Sequence, residues 1–319
     1  MGTERRRVAP FRVAFDLLMI NLRYHMVSLV AVFLALAIGV IAGTTVINDQ
    51  VVKGLERSDA TLRASLQKQQ DSNGVLKSQL NLWESWGGTI AKQIEKDALR
   101  DRSVVLMLSS GVDGKIVSNV QNALTIAGAT RGGTITFSSR WNFNDDTARQ
   151  QLGSILGLGP AATAAVVATQ GADRIANRLD TPGDPNASGD LLQALAQGGF
   201  IQVSDPTGGA FPAAGSLVVW LSSGAPNPSP PDGQFSLPLL RAMIEHVSIA
   251  VGEPMASADS LSDQIHGDAA LNRTVATVDH VDTIPGVAAL IAGLHDVATG
   301  LPAPHYGTRR GTTAIAPTP

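Results

Sequence analysis

Six histidines and no cysteine limit the chemistry this sequence can carry. His25, His246, His266, His280, His295 and His305 are dispersed, and no two have the i, i+4 spacing that puts two imidazoles on one helical face. Without cysteine there are no disulfides, thiolate metal sites or cysteine nucleophiles. Met19, Met26, Met107, Met243 and Met255 are scattered, so no thioether cluster suited to Cu(I) is written locally. A copper site would have to be assembled from distant parts of the fold. The densest local group is Asp279–His280–Val281–Asp282. It reads as a solvated loop, the alternative being a strand end that presents Asp279 or His280.

Nucleotide and catalytic motifs are missing. The first strand-to-helix turn, Ser109-Ser110-Gly111-Val112-Asp113-Gly114-Lys115, is neither G-x-G-x-x-G nor G-x-x-x-x-G-K-[ST]. Lys115 alone does not make a phosphate site. No serine sits in G-x-S-x-G, and there is no H-E-x-x-H. The expectation is a non-enzymatic protein with no bound cofactor and no metal site identifiable from sequence.

The elements that would position these groups fall into three regions. Of 319 residues, 44% are apolar and 16% charged, enough for a substantial core. The first 25 residues hold five arginines (Arg5, Arg6, Arg7, Arg12, Arg23) against two acids, a net of +3, which leaves −6 on the remainder. An acidic body argues against nucleic-acid binding.

Residues 26–47 contain no charge and are long enough to cross about 30 Å of hydrocarbon as a helix. The run is longer than a signal-peptide core, so it reads as an uncleaved transmembrane anchor. The positive-inside rule keeps the basic arm (1–25) cytoplasmic and exports the rest to the periplasm. Ala31, Ala35, Gly39 and Gly43 recur at every fourth position. They form either a helix-dimer face or the ordinary Gly and Ala content of such a helix. Residues 8–25, with Phe11, Phe15, Leu18, Met19 and Leu22 near helical spacing, either lie on the inner leaflet or dock a cytoplasmic protein.

Residues 49–100 carry a heptad beat. Val52, Leu66, Leu80 and Ile94 fall at a, and Leu55, Leu62, Leu76, Trp83 and Ile90 at d, which predicts a coiled-coil stalk and a parallel homodimer. Asp59, Gln69 and Asn73 are polar seam positions, and Gly74 and Gly87–Gly88 are possible kinks. The alternative is a stalk folded back at Asp71–Gly74.

From 101 to 299 strand-like runs alternate with helical stretches: strands at 103–110, 133–138, 200–203, 216–221, 248–251 and 274–278, and helices up to 127 and at 145–156, 188–197, 236–247 and 285–298. This predicts a Rossmann-like three-layer αβα domain with a parallel sheet. Residues 225–233 (APNPSPPDG) read as a loop, and 300–319 as a disordered tail.

Two blocks carry a resemblance. LRYHMVSLVAVFLALAIGVIAG (22–43) and TVDHVDTIPGVAALIAGLHD (277–296) resemble the actinobacterial copper-transport protein B (MctB) family, and the order of regions is similar over nearly the whole chain. The resemblance implies copper efflux or homeostasis, with copper as the transported ion, and for the family a pore in the mycolate outer membrane. Similar proteins are also linked to cell separation, pairing a cytoplasmic partner with control of an envelope protein or peptidoglycan hydrolase outside. The residues fit the second role better. A membrane barrel needs many alternating segments, and one apolar helix cannot enclose a channel. The cytoplasmic membrane is therefore the expected location.

Overall fold

Apolar runs build the sheet. In this computed structural model the described residues are 13–204 and 210–317; side chains of 13–21, 44–52, 79–86, 89–90 and 92–95 also lie outside the description. Among described residues there are seven strands: β1 Ser103–Leu108, β2 Thr130–Phe137, β3 Ile201–Ser204, β4 Leu217–Leu221, β5 Ile249–Gly252, β6 Val275–Val278 and β7 His305–Tyr306. Their spatial order is β3-β2-β1-β4-β5-β6-β7. All neighbours pair in parallel except β2 and β3.

The strands read as continuous hydrophobic runs because both faces are covered. Val105 and Met107 of β1 enter one core with Trp220 and Val251, whereas Val104, Leu106 and Leu108 enter the other with Val219 and Ala250. The first core is closed by α3 Asp146–Ile155, α4 Ala164–Asp180, α5 Leu191–Gln197, α6 Leu237–Met243, α7 Leu261–His266 and α8 Leu271–Thr274. The second is closed by α2 Gly114–Ile126 and α9 Ile284–Ala298. In the first core Trp141 lies 4.3 Å from Phe235, centroid to centroid, and its indole N–H donates to the Phe200 carbonyl at 2.8 Å. The only polar atom of that large side chain is thereby satisfied.

Three expectations change. The run at 200–203 is an edge strand, but antiparallel, with Phe137 opposite Ile201. Side-chain period is the same in either direction, so direction follows from the path of the preceding helices. One of those is α4, absent from the reading of the sequence. Its small-residue stretch lets Gly171 sit against Leu156 and Phe235. The third change concerns the tail. Residues 301–317 are not disordered: Thr277 pairs with His305 and Val278 with Tyr306, and Gly307 N–H donates to Ala314 O at 2.8 Å. Proline-rich polar composition concealed a strand whose partners lie elsewhere in the chain.

The first helix, α1 Val13–Glu95, runs unbroken through Asp71–Gly74, so the chain does not fold back there as a hairpin. The chain divides into two compact units, residues 1–79 and 80–319.

Candidate functional site

In the first unit, Leu22–Gly43 is a 22-residue stretch of mean hydropathy 2.6, the one helix among described residues long and apolar enough to cross a membrane. Ala31, Ala35 and Gly39 are exposed along it, and a Cβ placed at Gly39 or Gly43 would meet nothing within 4 Å. Leu55, Leu62, Leu66 and Leu76 form an apolar row that is 56–64% exposed. Side chains of Val52, Leu80, Trp83, Ile90 and Ile94 lie outside the described residues, as do Arg5, Arg6, Arg7 and Arg12 of the arm.

In the second unit the end of α1 lies on the α/β body. A Cβ added at Gly87 or Gly88 would lie 3.7 Å from Pro285 or Ile284, an ordinary contact, so these glycines face α9, and the helix continues through them. A groove of about 150 Å³ runs between Ala91, Ala123, Ile126 and Val287, smaller than the sites that enclose most small-molecule ligands.

Ligands of open α/β sheets usually bind beyond the carboxyl ends of the strands, where the winding reverses. Here that place lies between β1 and β4, and the groups around it are engaged. Ser110 N–H donates to Ser229 O at 2.7 Å, and Ser229 Oγ donates to Ser138 O at 2.9 Å, which lays the Pro-rich loop over the crevice. Asp113 caps α2 by accepting Lys115 N–H at 2.7 Å, so a carboxylate stands at the helix N-terminus where a phosphate would go.

Buried charge is concentrated one strand further along. Glu253 follows β5 and is fully buried; its carboxylate accepts Ser260 Oγ, Leu261 N–H at 3.0 Å and Ser257 Oγ at 3.3 Å. Burial raises its pKa against those bonds and the nearby Arg309 guanidinium, whose Nε is 3.8 Å away. Asp232, in the π-helical turn Asp232–Ser236, is pushed up to about 7, chiefly by burial, with the charges of Glu253 and Asp259 adding; the Ser236 hydroxyl opposes the shift. Asp232 Oδ2, Ser262 Oγ and Arg309 Nε are buried without a hydrogen-bond partner.

Within Asp279–Asp282 only Asp282 is exposed; Asp279, His280 and Val281 are buried and are not a solvated loop. Asp279 and His280 are 1% and 4% exposed. Asp279 accepts N–H bonds from Thr308 at 3.0 Å and Arg309 at 2.7 Å, and its own ring neighbour, His280 Nδ1, lies 3.1 Å away. Gly307 permits this approach: φ is +150°, and a Cβ there would overlap the Asp279 carboxylate. The carboxylate therefore clamps the C-terminal segment. Arg309, so held, donates to Ser257 O at 2.6 Å and to Asp263 at 3.3 Å. A carboxylate at a strand end was a signal available in the sequence; the backbone it holds, 29 residues on, was not.

Among the described residues no group of three or more His, Asp and Glu side chains is placed to hold a metal ion. The fold does bring His266 and His305 together, across Thr277.

Fold and sequence together define a class: a mixed α/β body with a parallel-rich sheet, and one N-terminal apolar helix of the length found in single-pass membrane proteins. The family model described as copper transport outer membrane protein, MctB, matches residues 19–317, and the chain belongs to that family. It is 27% identical over 313 residues to copper transporter MctB of Mycobacterium tuberculosis (strain ATCC 25618 / H37Rv), covering 93% of this chain and 99% of the relative. A similar protein of the same name in Mycobacterium leprae (strain TN) is 27% identical over 319 residues, with the same coverage.

Proposed function

We propose that this chain is a single-pass envelope protein of copper homeostasis, with copper as the cargo of the process and not as a resident cofactor. The carrying observation is the match to relatives named copper transporter, which extends over 99% of their length and includes both the apolar helix and the α/β body. The basic arm is cytoplasmic and the body periplasmic, by the positive-inside rule. The protein acts by binding and not by catalysis. A single helix has no lumen, so passage of an ion through this span would require several copies or another protein. Deleting the gene and measuring growth and cell copper across a copper series tests the reading. Hypersensitivity with raised cell copper is expected; unchanged growth and copper content would sink it.

A second reading has its own observation, the exposed row Leu55, Leu62, Leu66 and Leu76. Such a row is the seam of a parallel coiled-coil homodimer, reinforced through the small face of the span. On this reading the body is a Rossmann-like, non-catalytic scaffold that links a cytoplasmic protein at residues 1–25 to an envelope protein or peptidoglycan hydrolase. It predicts a cell-separation defect on deletion that wild-type protein rescues and a seam variant does not. Rescue by both would remove it.

A further inference from the structure

Three side chains distant in sequence meet at the β6–β7 edge of the sheet. His266 ends α7, Thr277 lies in β6 and His305 in β7. The Thr277 hydroxyl oxygen is 2.9 Å from His266 Nε2 and 2.9 Å from His305 Nδ1. A backbone carbonyl stands at each end of this row: Asn272 O lies 2.9 Å from His305 Nε2, and Arg310 O lies 3.3 Å from His266 Nδ1. Thr277 and His305 are buried, and His266 is half-buried.

These four contacts outnumber the hydrogens that can fill them. Carbonyl oxygens only accept, and two neutral imidazoles and one hydroxyl supply three hydrogens between them. The three short contacts are filled when His266 donates from Nε2 to Thr277, Thr277 donates to His305 Nδ1, and His305 donates from Nε2 to Asn272 O. In the remaining and longest contact a bare Nδ1 then faces the Arg310 carbonyl, acceptor against acceptor. One more proton at that nitrogen makes a charge-assisted N–H···O bond and leaves the other three unchanged. His305 does not compete for it. Burial lowers its pKa, the bond to Asn272 opposes this, and charge on His266 lowers it further.

The Arg310 carbonyl belongs to the segment that covers the sheet edge. Thr313 N–H donates to His305 O at 2.8 Å, Gly307 N–H donates to Ala314 O at 2.8 Å, and Tyr306 bridges Ala314. This segment takes up backbone groups that β7 would otherwise leave open to another strand. At Gly311, φ is +96° and a Cβ would come within 2.7 Å of His266 Nδ1, so only glycine lets the backbone lie against the ring.

We propose that His266 is a proton-operated latch: one proton taken up at Nδ1 fastens residues 310–314 over the β7 edge, and its loss loosens them. The bond is present at low pH and disappears as pH rises through the titration of His266. The other charged or titratable side chains on the elements that meet at the ring are Asp263 on α7, His305 and Tyr306 on β7, Arg309 and Arg310 on the C-terminal segment, and Asp268 and Arg273 around α8. Asp263 pairs with Arg309 at 3.3 Å, and Asp268 with Arg241 of α6.

Hydrogen exchange on the full-length protein in detergent tests the latch at about pH 5.5 and about pH 8, with exchange times scaled for the intrinsic chemical rate. Protection of the 310–314 amides should fall about tenfold or more from the lower to the higher pH, the weight of one hydrogen bond to a charged group. The amides of Leu217–Leu221 in β4 are the internal reference for opening of the whole body. His266→Gln, which cannot gain a proton, should show the same tail protection at both pH values, and circular dichroism checks its folding. If it does not fold, histidine-selective NMR of the wild-type chain carries the test, with both ring hydrogens on His266 and a neutral His305 expected at the lower pH. Wild-type tail protection independent of pH, an equal fall in β4, a pH-dependent His266→Gln, or a neutral His266 at the lower pH would each overturn the proposal.

Discussion

Asp279 and Arg309 are joined through the backbone: the Asp279 carboxylate accepts the Arg309 amide N–H at 2.7 Å, while the guanidinium turns to the Ser257 carbonyl at 2.6 Å. The carboxylate thus ties the segment after β7 to the end of β6, and the guanidinium ties the same segment to the loop after β5.

Removing that acceptor should release the C-terminal segment. Asp279→Ala is expected to cost about 3–5 kcal/mol, since the Thr308 and Arg309 amides lose a charged partner together. Chemical denaturation of the full chain gives the energy. Limited proteolysis should show new cleavage between 300 and 317, and an unchanged digestion pattern would contradict the clamp.

Gly286 is the tightest joint of α9. A Cβ there would overlap the His280 carbonyl, which is backbone and cannot rotate away. Gly286→Ala should destabilise by about 2–4 kcal/mol, an overpacking effect, read as a fall in melting temperature. Gly114→Ala is the control, because a Cβ at Gly114 meets nothing within 4 Å.

Asp232 makes stability depend on pH. Its folded pKa of about 7 stands above its ordinary 3.8, so between these values the folded state holds a proton that the unfolded state has lost. The stability of this group is full below about pH 4, falls as pH rises to about 7, and then stays low. The difference is at most on the order of 4 kcal/mol. Asp232→Asn cannot ionise, so its stability relative to wild type should rise between pH 5 and pH 8. A relative stability that is flat across this interval would show that Asp232 is ionised in the fold.

The leucine row in α1 predicts an oligomeric state. Leu62, Leu66 and Leu76 are 56–61% exposed, so changing all three to Gln should leave the α/β body's melting unaltered. Sedimentation in detergent should give a dimer for wild type and a monomer for the triple variant. A wild-type monomer would remove the seam from the argument.

Local pattern alone determined the membrane-length apolar stretch, the long helix and, to within two residues at either end, the strands at 103–108, 217–221, 249–252 and 275–278, because long apolar runs leave a direct trace in composition. Caps were equally local: Asp113, Asp145, Ser260 and Thr283 each satisfy amides within three residues. The tertiary structure alone decided that Asp279 and His280 are interior, that residues 305–306 form a strand and that β3 runs antiparallel. It also decided that His266 and His305, 39 positions apart in the sequence, share one hydroxyl. A polar residue carries the same local signature whether its partner is water or a backbone amide 29 residues away, and only the path of the chain determines which it meets.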